Sequence, residues 1–160
     1  MHGHRVTLYA RPGVVMSTGL GAVFLVGRIL FTIFFVPLSG VGHIRRDAMM
    51  TGFAKSTGMP LPSLAGWPSG VWLIAGGLSV AAGVWADLGS LMLGLFVTLA
   101  AFQFHRFWEI KDEAQRSPQK QSFWRNVALL GACLSLFAVI SSFGEGIPLT
   151  LTGPLFHLSG

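Results

Sequence analysis

The run MSTGLGAVFLVGRILFTIFFVPLSGVGHI, residues 16–44, decides the fold because it is almost entirely apolar and carries a single Lys, Arg, Asp or Glu, Arg28. About 20 apolar residues in a helix cross the roughly 30 Å hydrocarbon core of a bilayer. Backbone N–H and C=O groups in lipid must be paired within the segment, and a helix achieves this pairing. The run therefore predicts the first membrane-spanning helix.

Three further apolar runs follow, at residues 67–85, 88–107 and 124–143. The chain is 52% hydrophobic and 11% charged, whereas a soluble domain carries about 25% charged residues. This composition excludes a water-exposed globule. It predicts an all-α membrane protein, a four-transmembrane-helix bundle that forms one domain over residues 1–160. A polar tail at residues 1–13 and a short tail at residues 144–160 flank the bundle.

Lysine and arginine predict how the bundle is oriented. The loops after the first and third runs, with their flanks, carry Arg45, Arg46, Lys55, Arg106, Lys111, Arg116, Lys120 and Arg125, whereas the other side carries Arg5 and Arg11. Cytoplasmic loops are enriched in Lys and Arg, so both loops are expected in the cytoplasm and both termini outside, in a bacterial plasma membrane. The net charge is +5, and the basic residues flank apolar runs. This placement indicates a lipid bilayer and not nucleic acid as the partner.

The connecting segments carry further local signals. Residues 47–56 are expected to form a short helix at the membrane surface, which ends before Pro60 and Pro62. Residues 111–121 are polar and are expected to form an exposed loop. Pro37 removes one backbone hydrogen bond from the first helix, so a kink is expected there.

Small residues recur every four positions in two runs. They are Ala75, Ser79 and Gly83 in the second run, and Gly131 and Ser135 in the fourth. Small side chains at this spacing let membrane helices approach closely. The pattern predicts a compact bundle, with a docking face for other subunits as the second interpretation.

Arg28 is the strongest candidate for a functional residue because a charge inside an apolar run is costly and normally has a partner. One interpretation is a site for an anionic or quinone-like headgroup. The other is a structural ion pair with Asp87 or Glu145, the acids expected on the same side of the membrane.

His43 and His105 form a second candidate pair, because each lies near the end of a helix that runs in the same direction. Histidine donates and accepts hydrogen bonds near neutral pH and so suits a quinone. Polar anchoring at the interface is the alternative. Paired histidines also ligate haem iron, but neither residue is central in its run, which disfavours haem, and no metal site is predicted.

Trp108 and Asn126 belong to a polar aromatic cluster, which consists of residues 104–109 and 123–126. The loop that joins its two halves is short, so Asn126 is expected near His105 and Trp108. The cluster is interpreted either as a latch between the third and fourth helices or as one wall of a cofactor site. No nucleotide-binding loop, cysteine cluster or Ser-His-Asp signal accompanies it.

The order of several short motifs resembles the DoxX family of small four-helix membrane proteins. They are RILFTIFF at residues 28–35, GMPLP at 58–62, Gly76-Gly77 with Gly83, HRFW at 105–108 and NVALLG at 126–131. The family is similar to the small membrane subunit of thiosulfate:quinone oxidoreductase. Its members often carry a glutamate early in the second helix and a lysine near the end of the first, where this chain has Leu73 and His43.

The resemblance implies an integral subunit of a membrane oxidoreductase or electron-transfer complex. Its quinone-facing surface would involve Arg28, His43, His105, Trp108 and Asn126, while partner subunits would carry the electron-transfer centres. The alternative is a non-catalytic assembly or anchoring subunit of a larger membrane complex. The apolar tail at residues 144–160 is expected to suit docking on such neighbours.

Overall fold

The computed structural model describes residues 15–156, which are all-helical apart from turns and connecting segments. The predicted polar tail at residues 1–13, with Arg5 and Arg11, lies outside the described residues. The helices are α1 (Thr18–Ile33), α2 (Val41–Arg45), α3 (Asp47–Ser56), α4 (Trp67–Ala82), α5 (Ala86–Phe104) and α6 (Glu113–Phe143). A π-helical segment, Phe34–Gly40, joins α1 to α2, and single 3₁₀ turns lie at Pro62–Ala65, Phe107–Glu109 and Gly144–Gly146.

Three helical stretches of the described chain are long and apolar enough to cross a membrane. They are Thr18–Arg45, Ala86–Glu109 and Glu113–Gly146. The fourth apolar helix, α4, has 16 residues, which corresponds to about 24 Å of helix. Leucine, valine and isoleucine side chains on the outer faces are widely exposed, as lipid contact requires. The prediction of an all-α membrane protein is confirmed, with three long helices and a shorter one.

The first helix is continuous through Pro37, which lies in the middle of the π-helical segment. The N–H of Val41 bonds to the carbonyl of Val36, a five-residue step in place of the usual four. A π segment corresponds to one extra residue in a helix and is frequent at functional sites. The local disturbance expected at Pro37 therefore takes the form of a widened turn.

Two predictions about the connecting segments have different outcomes. The surface helix expected at residues 47–56 is present as α3 (Asp47–Ser56). The loop expected at residues 111–121 is wrong, because α6 begins at Glu113. The carboxylate of Asp112 caps this helix by accepting a 2.9 Å hydrogen bond from the N–H of Gln115. A capped polar helix is stable where water surrounds it, so polarity alone did not distinguish it from a loop.

The bundle core lies among the π segment, α4, α5 and α6. Its fully buried apolar side chains are Phe35, Leu73, Val80, Leu93, Val97 and Cys133. The crossing of the first helix with α4 is close because two glycines face each other there. A Cβ atom on Gly70 would lie 2.7 Å from the carbonyl oxygen of Gly40. Only residues without side chains permit this approach.

Replacement of Gly70 by leucine is expected to lower the melting temperature of the purified protein strongly, because the new side chain would force the two helices apart. Thermal unfolding in detergent, followed by circular dichroism, measures the effect. Gly131→Leu is the control, since the space beside Gly131 is open. Equal melting temperatures for the two variants would contradict this account of the crossing.

Only some of the small residues spaced four positions apart pack inside the bundle. Gly76 and Gly89 face each other between α4 and α5, where Ser79 also contributes. Ala75, Gly131 and Ser135, in contrast, are exposed on outer faces. The close packing predicted within the bundle therefore involves Ser79 and Gly83, whereas the other three positions face outward, since four-residue spacing does not specify which face of a helix is buried.

The segment after α6 folds back over one end of the bundle. We call residues 147–156 the strap and this end the strap end; the opposite end, which carries α3, is the cavity end. The N–H groups of Leu151 and Thr152 donate to the carbonyl of Gly83, at 3.1 and 3.0 Å. The N–H of Phe156 donates to Asp87 at 2.7 Å. Within the described residues the tail thus packs on its own chain, and residues 157–160 lie outside them.

Candidate functional site

A cavity of about 550 Å³ opens at the cavity end of the bundle. Seven elements contribute to its wall: the π segment, α2, α3, the 3₁₀ turn before α4, α4 itself, α5 and α6. Its apolar wall includes Phe34, Met50, Phe53, Met59, Leu64, Trp72, Leu95, Phe96, Leu99 and Phe104. Its polar groups are Ser39, His43, Ser69, His105, Arg125 and Asn126. An apolar cavity with a few convergent polar groups is typical of a binding site for an amphiphilic molecule.

His43 is held against the start of α4 through one ring nitrogen. Its Nδ1 lies 2.9 Å from the carbonyl oxygen of Ala65 and 2.7 Å from the hydroxyl of Ser69. The ring also contacts Phe96 edge-on, with centroids 5.5 Å apart. These contacts fix the orientation of the imidazole in the cavity wall.

His105 lies in the same cavity wall and is held by a residue of α6. It follows the last residue of α5, and its Nδ1 lies 2.8 Å from the side-chain oxygen of Gln119 on α6. The structure therefore brings His43 and His105 to one cavity, although 62 positions separate them in the chain. The sequence did not indicate Gln119 as a site residue, because residues 111–121 were predicted to form a loop.

Asn126 and Trp108 occupy different places. Asn126 is buried, with 6% of its surface exposed, and lines the cavity beside His105. Trp108 is 51% exposed and packs edge-on against Phe123, with centroids 5.6 Å apart, and it does not line the cavity. Trp72 lines the wall instead; no polar residue stands next to it in the sequence to single it out.

The polar aromatic cluster also acts as a latch. Arg106 donates a 2.9 Å hydrogen bond to the carbonyl of Thr57, and Gln103 donates to the same oxygen at 3.1 Å. Arg106 is also paired with Glu109 at 3.2 Å. Because Thr57 directly follows α3, these bonds hold the surface helix beside the cavity. This latch differs from the predicted one, which joins the third and fourth helices, because these bonds join the end of α5 to α3. His105 and Asn126 of the cluster line the cavity wall.

Arg28 lies away from this cavity, at the strap side of the π segment. Its side chain is fully buried. One terminal nitrogen, Nη2, donates to the carbonyl of Leu149 at 2.6 Å, and Nη1 lies 3.5 Å from the carbonyl of Val80. Its guanidinium stands over the ring of Phe24, 5.5 Å from the centroid, whereas Nε has no partner in the described chain.

The predicted ion pair of Arg28 with Asp87 or Glu145 is therefore wrong. Asp87 is also fully buried, but it accepts from the N–H of Phe156 in the strap. The strap supplies a backbone carbonyl to Arg28 and a backbone N–H to Asp87, and sequence alone gave no reason to expect that. Arg28 does border a groove of about 340 Å³ between α1 and α6, which is separate in its lining from the cavity of the two histidines.

A comparison with protein families identifies the family of this chain. The DoxX family model matches residues 23–106, just over half of the chain, from α1 to the residue after His105. No curated protein and no solved structure matches the sequence. The match covers the two histidines and Arg28, and it ends before Trp108 and Asn126. Together with its exposed apolar helices, this match shows that the chain is a membrane protein that belongs to the DoxX family.

Proposed function

We propose that this protein is an integral subunit of a membrane oxidoreductase or electron-transfer complex and that it binds a quinone-like ligand. The observation that carries the proposal is the cavity with an apolar wall, His43, His105 and Asn126. A quinone has a flat polar ring and a long apolar tail. The ring matches the polar groups of the wall, and the tail matches its aromatic and aliphatic side chains.

The electron-carrying centres belong to partner subunits in this proposal. Among residues 15–156, no three His, Cys, Asp or Glu side chains are grouped closely enough to hold a metal ion. The subunit would contribute the ligand site and its lipid-facing surroundings. Four membrane crossings in a single domain, with both termini outside the cytoplasm of a bacterial cell, complete the proposal. The basic residues around the cavity end support that orientation.

Leu95→Trp tests the site without disturbing the buried core. Leu95 is about half exposed and lines the cavity, so an indole ring there narrows its mouth. We expect the affinity for a short-tailed benzoquinone to fall about tenfold or more, which corresponds to about 1.4 kcal/mol. Titration of the detergent-purified protein by calorimetry measures the change.

Leu38→Trp is the matched control. Leu38 is exposed on the first helix and is not part of the cavity wall, so this variant should bind the benzoquinone as the unmodified protein does. Equal weakening by both substitutions would mean that the quinone partitions into the detergent or a lipid-facing surface. Absence of binding in the unmodified protein would refute the proposed site.

The outer face of α6 supports the second candidate, an assembly or anchoring subunit. Ala128, Gly131 and Ser135 are exposed along this face, and nothing lies within 4 Å of a Cβ atom built on Gly131. Small residues at this spacing suit contact with a helix of another subunit. If this candidate is right, Gly131→Leu should release the protein from a larger complex during gentle detergent extraction, while leaving its melting temperature unchanged.

A further inference from the structure

The hydrogen bonds of His43 determine which of its ring nitrogens carries the proton. The carbonyl oxygen of Ala65, 2.9 Å from Nδ1, can only accept. The hydroxyl of Ser69 lies 2.8 Å from that same carbonyl and 2.9 Å from the carbonyl of Gly66. Because Nδ1 must donate to the carbonyl of Ala65, the hydroxyl of Ser69 directs its proton to a carbonyl oxygen, and its own oxygen accepts from His43. Nδ1 consequently carries the proton.

The second nitrogen of His43 is thereby left as an acceptor. Its Nε2 has no hydrogen-bond partner in the described chain. It is also not one of the fully buried polar atoms of residues 15–156 that lack a hydrogen-bond partner. It is therefore accessible, on a ring that lines the cavity. Arg125 is the one charged residue in the described lining, so an imidazolium there would have no anionic partner. The neutral ring, with a bare Nε2, suits this wall.

His105 repeats the arrangement. The side-chain oxygen of Gln119, 2.8 Å from its Nδ1, is an acceptor. The proton of His105 is again on Nδ1, and Nε2 has no partner within residues 15–156. Two histidines from different helices thus present acceptors, and not donors, to the same cavity.

We infer that the cavity selects a ligand whose polar end donates a hydrogen bond, namely a phenolic hydroxyl such as that of a hydroquinone, over the corresponding quinone carbonyl. This inference rests on the proposed function and specifies the ligand class of the same site. A hydroxyl donates to a bare Nε2 and still accepts from Asn126 or Arg125. A carbonyl only accepts, so its lone pairs would face those of Nε2 and leave the histidine unpaired.

A matched pair of probes tests the inference, because a short-tailed benzoquinone and its hydroquinone share a tail and differ in the polar atoms of the ring. Each is titrated anaerobically into the detergent-purified protein. We expect the hydroquinone to bind about tenfold more tightly, because the quinone leaves one buried polar group of the protein unpaired. His43→Gln should reduce this preference to about threefold or less, because a glutamine amide can turn its N–H₂ toward the cavity. Leu38→Ala, outside the cavity, should keep it.

The outcomes separate the two proposals. Quinone binding that equals or exceeds hydroquinone binding would overturn the inference while the ligand site stands. An unchanged preference in a folded His43→Gln protein would overturn it as well, and His105→Gln provides the same test if the first variant does not fold. Failure of both probes to bind would refute the ligand site itself, and the inference with it.

Discussion

A chain that ends at Ile147 is expected to be several kcal/mol less stable than the full-length protein. This truncation removes most of the strap but keeps Ile147, which is buried against Ala86 and Ile140. Arg28 then loses its shortest hydrogen bond, the one to the carbonyl of Leu149. A buried donor that loses its acceptor costs about 1–3 kcal/mol, and more when the donor is charged. Unfolding in a denaturing detergent series, followed by circular dichroism, measures the difference.

Arg28→Met tests whether the charge is the cause. In the full-length chain this variant should cost about 1–3 kcal/mol, because it leaves the carbonyls of Leu149 and Val80 without their donor. In the truncated chain it should instead restore stability, since it removes the uncompensated charge. The two changes are therefore expected to be strongly non-additive. Additive losses would contradict the assignment of the strap as the partner of Arg28.

Leu149→Gly is the control for the strap side chain. Leu149 has a φ of 60°, a conformation that favours glycine by about 1–2 kcal/mol, and its side chain is exposed. The variant keeps the carbonyl that Arg28 binds, so stability should be maintained or increased. A loss comparable to that of the truncation would mean that the leucine side chain, and not the backbone carbonyl, holds the strap.

Insertion of one alanine after Leu38 is expected to weaken binding at the cavity strongly. The π segment already holds one residue more than an α-helix needs, and Leu38 lies in it with its side chain exposed. Because the widened turn already accommodates one extra residue, a second one turns α2 by about 100° relative to α1. His43 would then leave the cavity wall and lose its bonds to Ala65 and Ser69.

Affinity for the hydroquinone probe should consequently fall at least tenfold in the insertion variant. Leu38→Ala keeps the length of the segment and should retain the affinity. Since a one-residue insertion also strains the crossing at Gly40, the melting temperature of each variant is measured alongside. An insertion variant that binds normally would show that the length of the π segment does not position His43.

The class of the protein was readable from sequence because membrane insertion depends on local quantities. The run at residues 16–44 is long and apolar enough to define a helix without knowledge of any contact. The surface helix at residues 47–56 was equally predictable from sequence, since Pro60 and Pro62 prevent it from continuing. The loop expected at residues 111–121 failed for the complementary reason, because polar residues form helices or loops according to caps and neighbours.

The candidate site could be predicted from the sequence only in part. His43 and His105 stood out because polar rings at the ends of apolar runs are easily seen. Which of their nitrogens faces a ligand depends on Ser69 and Gln119, residues that carry no signal of their own and are distant in the chain. Trp108 has polar neighbours in the sequence and Trp72 has none, yet Trp72 lines the cavity and Trp108 packs on Phe123 outside it.

The sequence by itself determined that this chain is a helical membrane protein, since hydrophobic length and charge position are properties of short segments. It also located the unusual charge at Arg28. Only the tertiary structure decided what that charge binds and which histidines share a cavity. Both answers depend on backbone carbonyls and on helix rotations, which the π segment, the Gly40–Gly70 crossing and the strap set through long-range contacts.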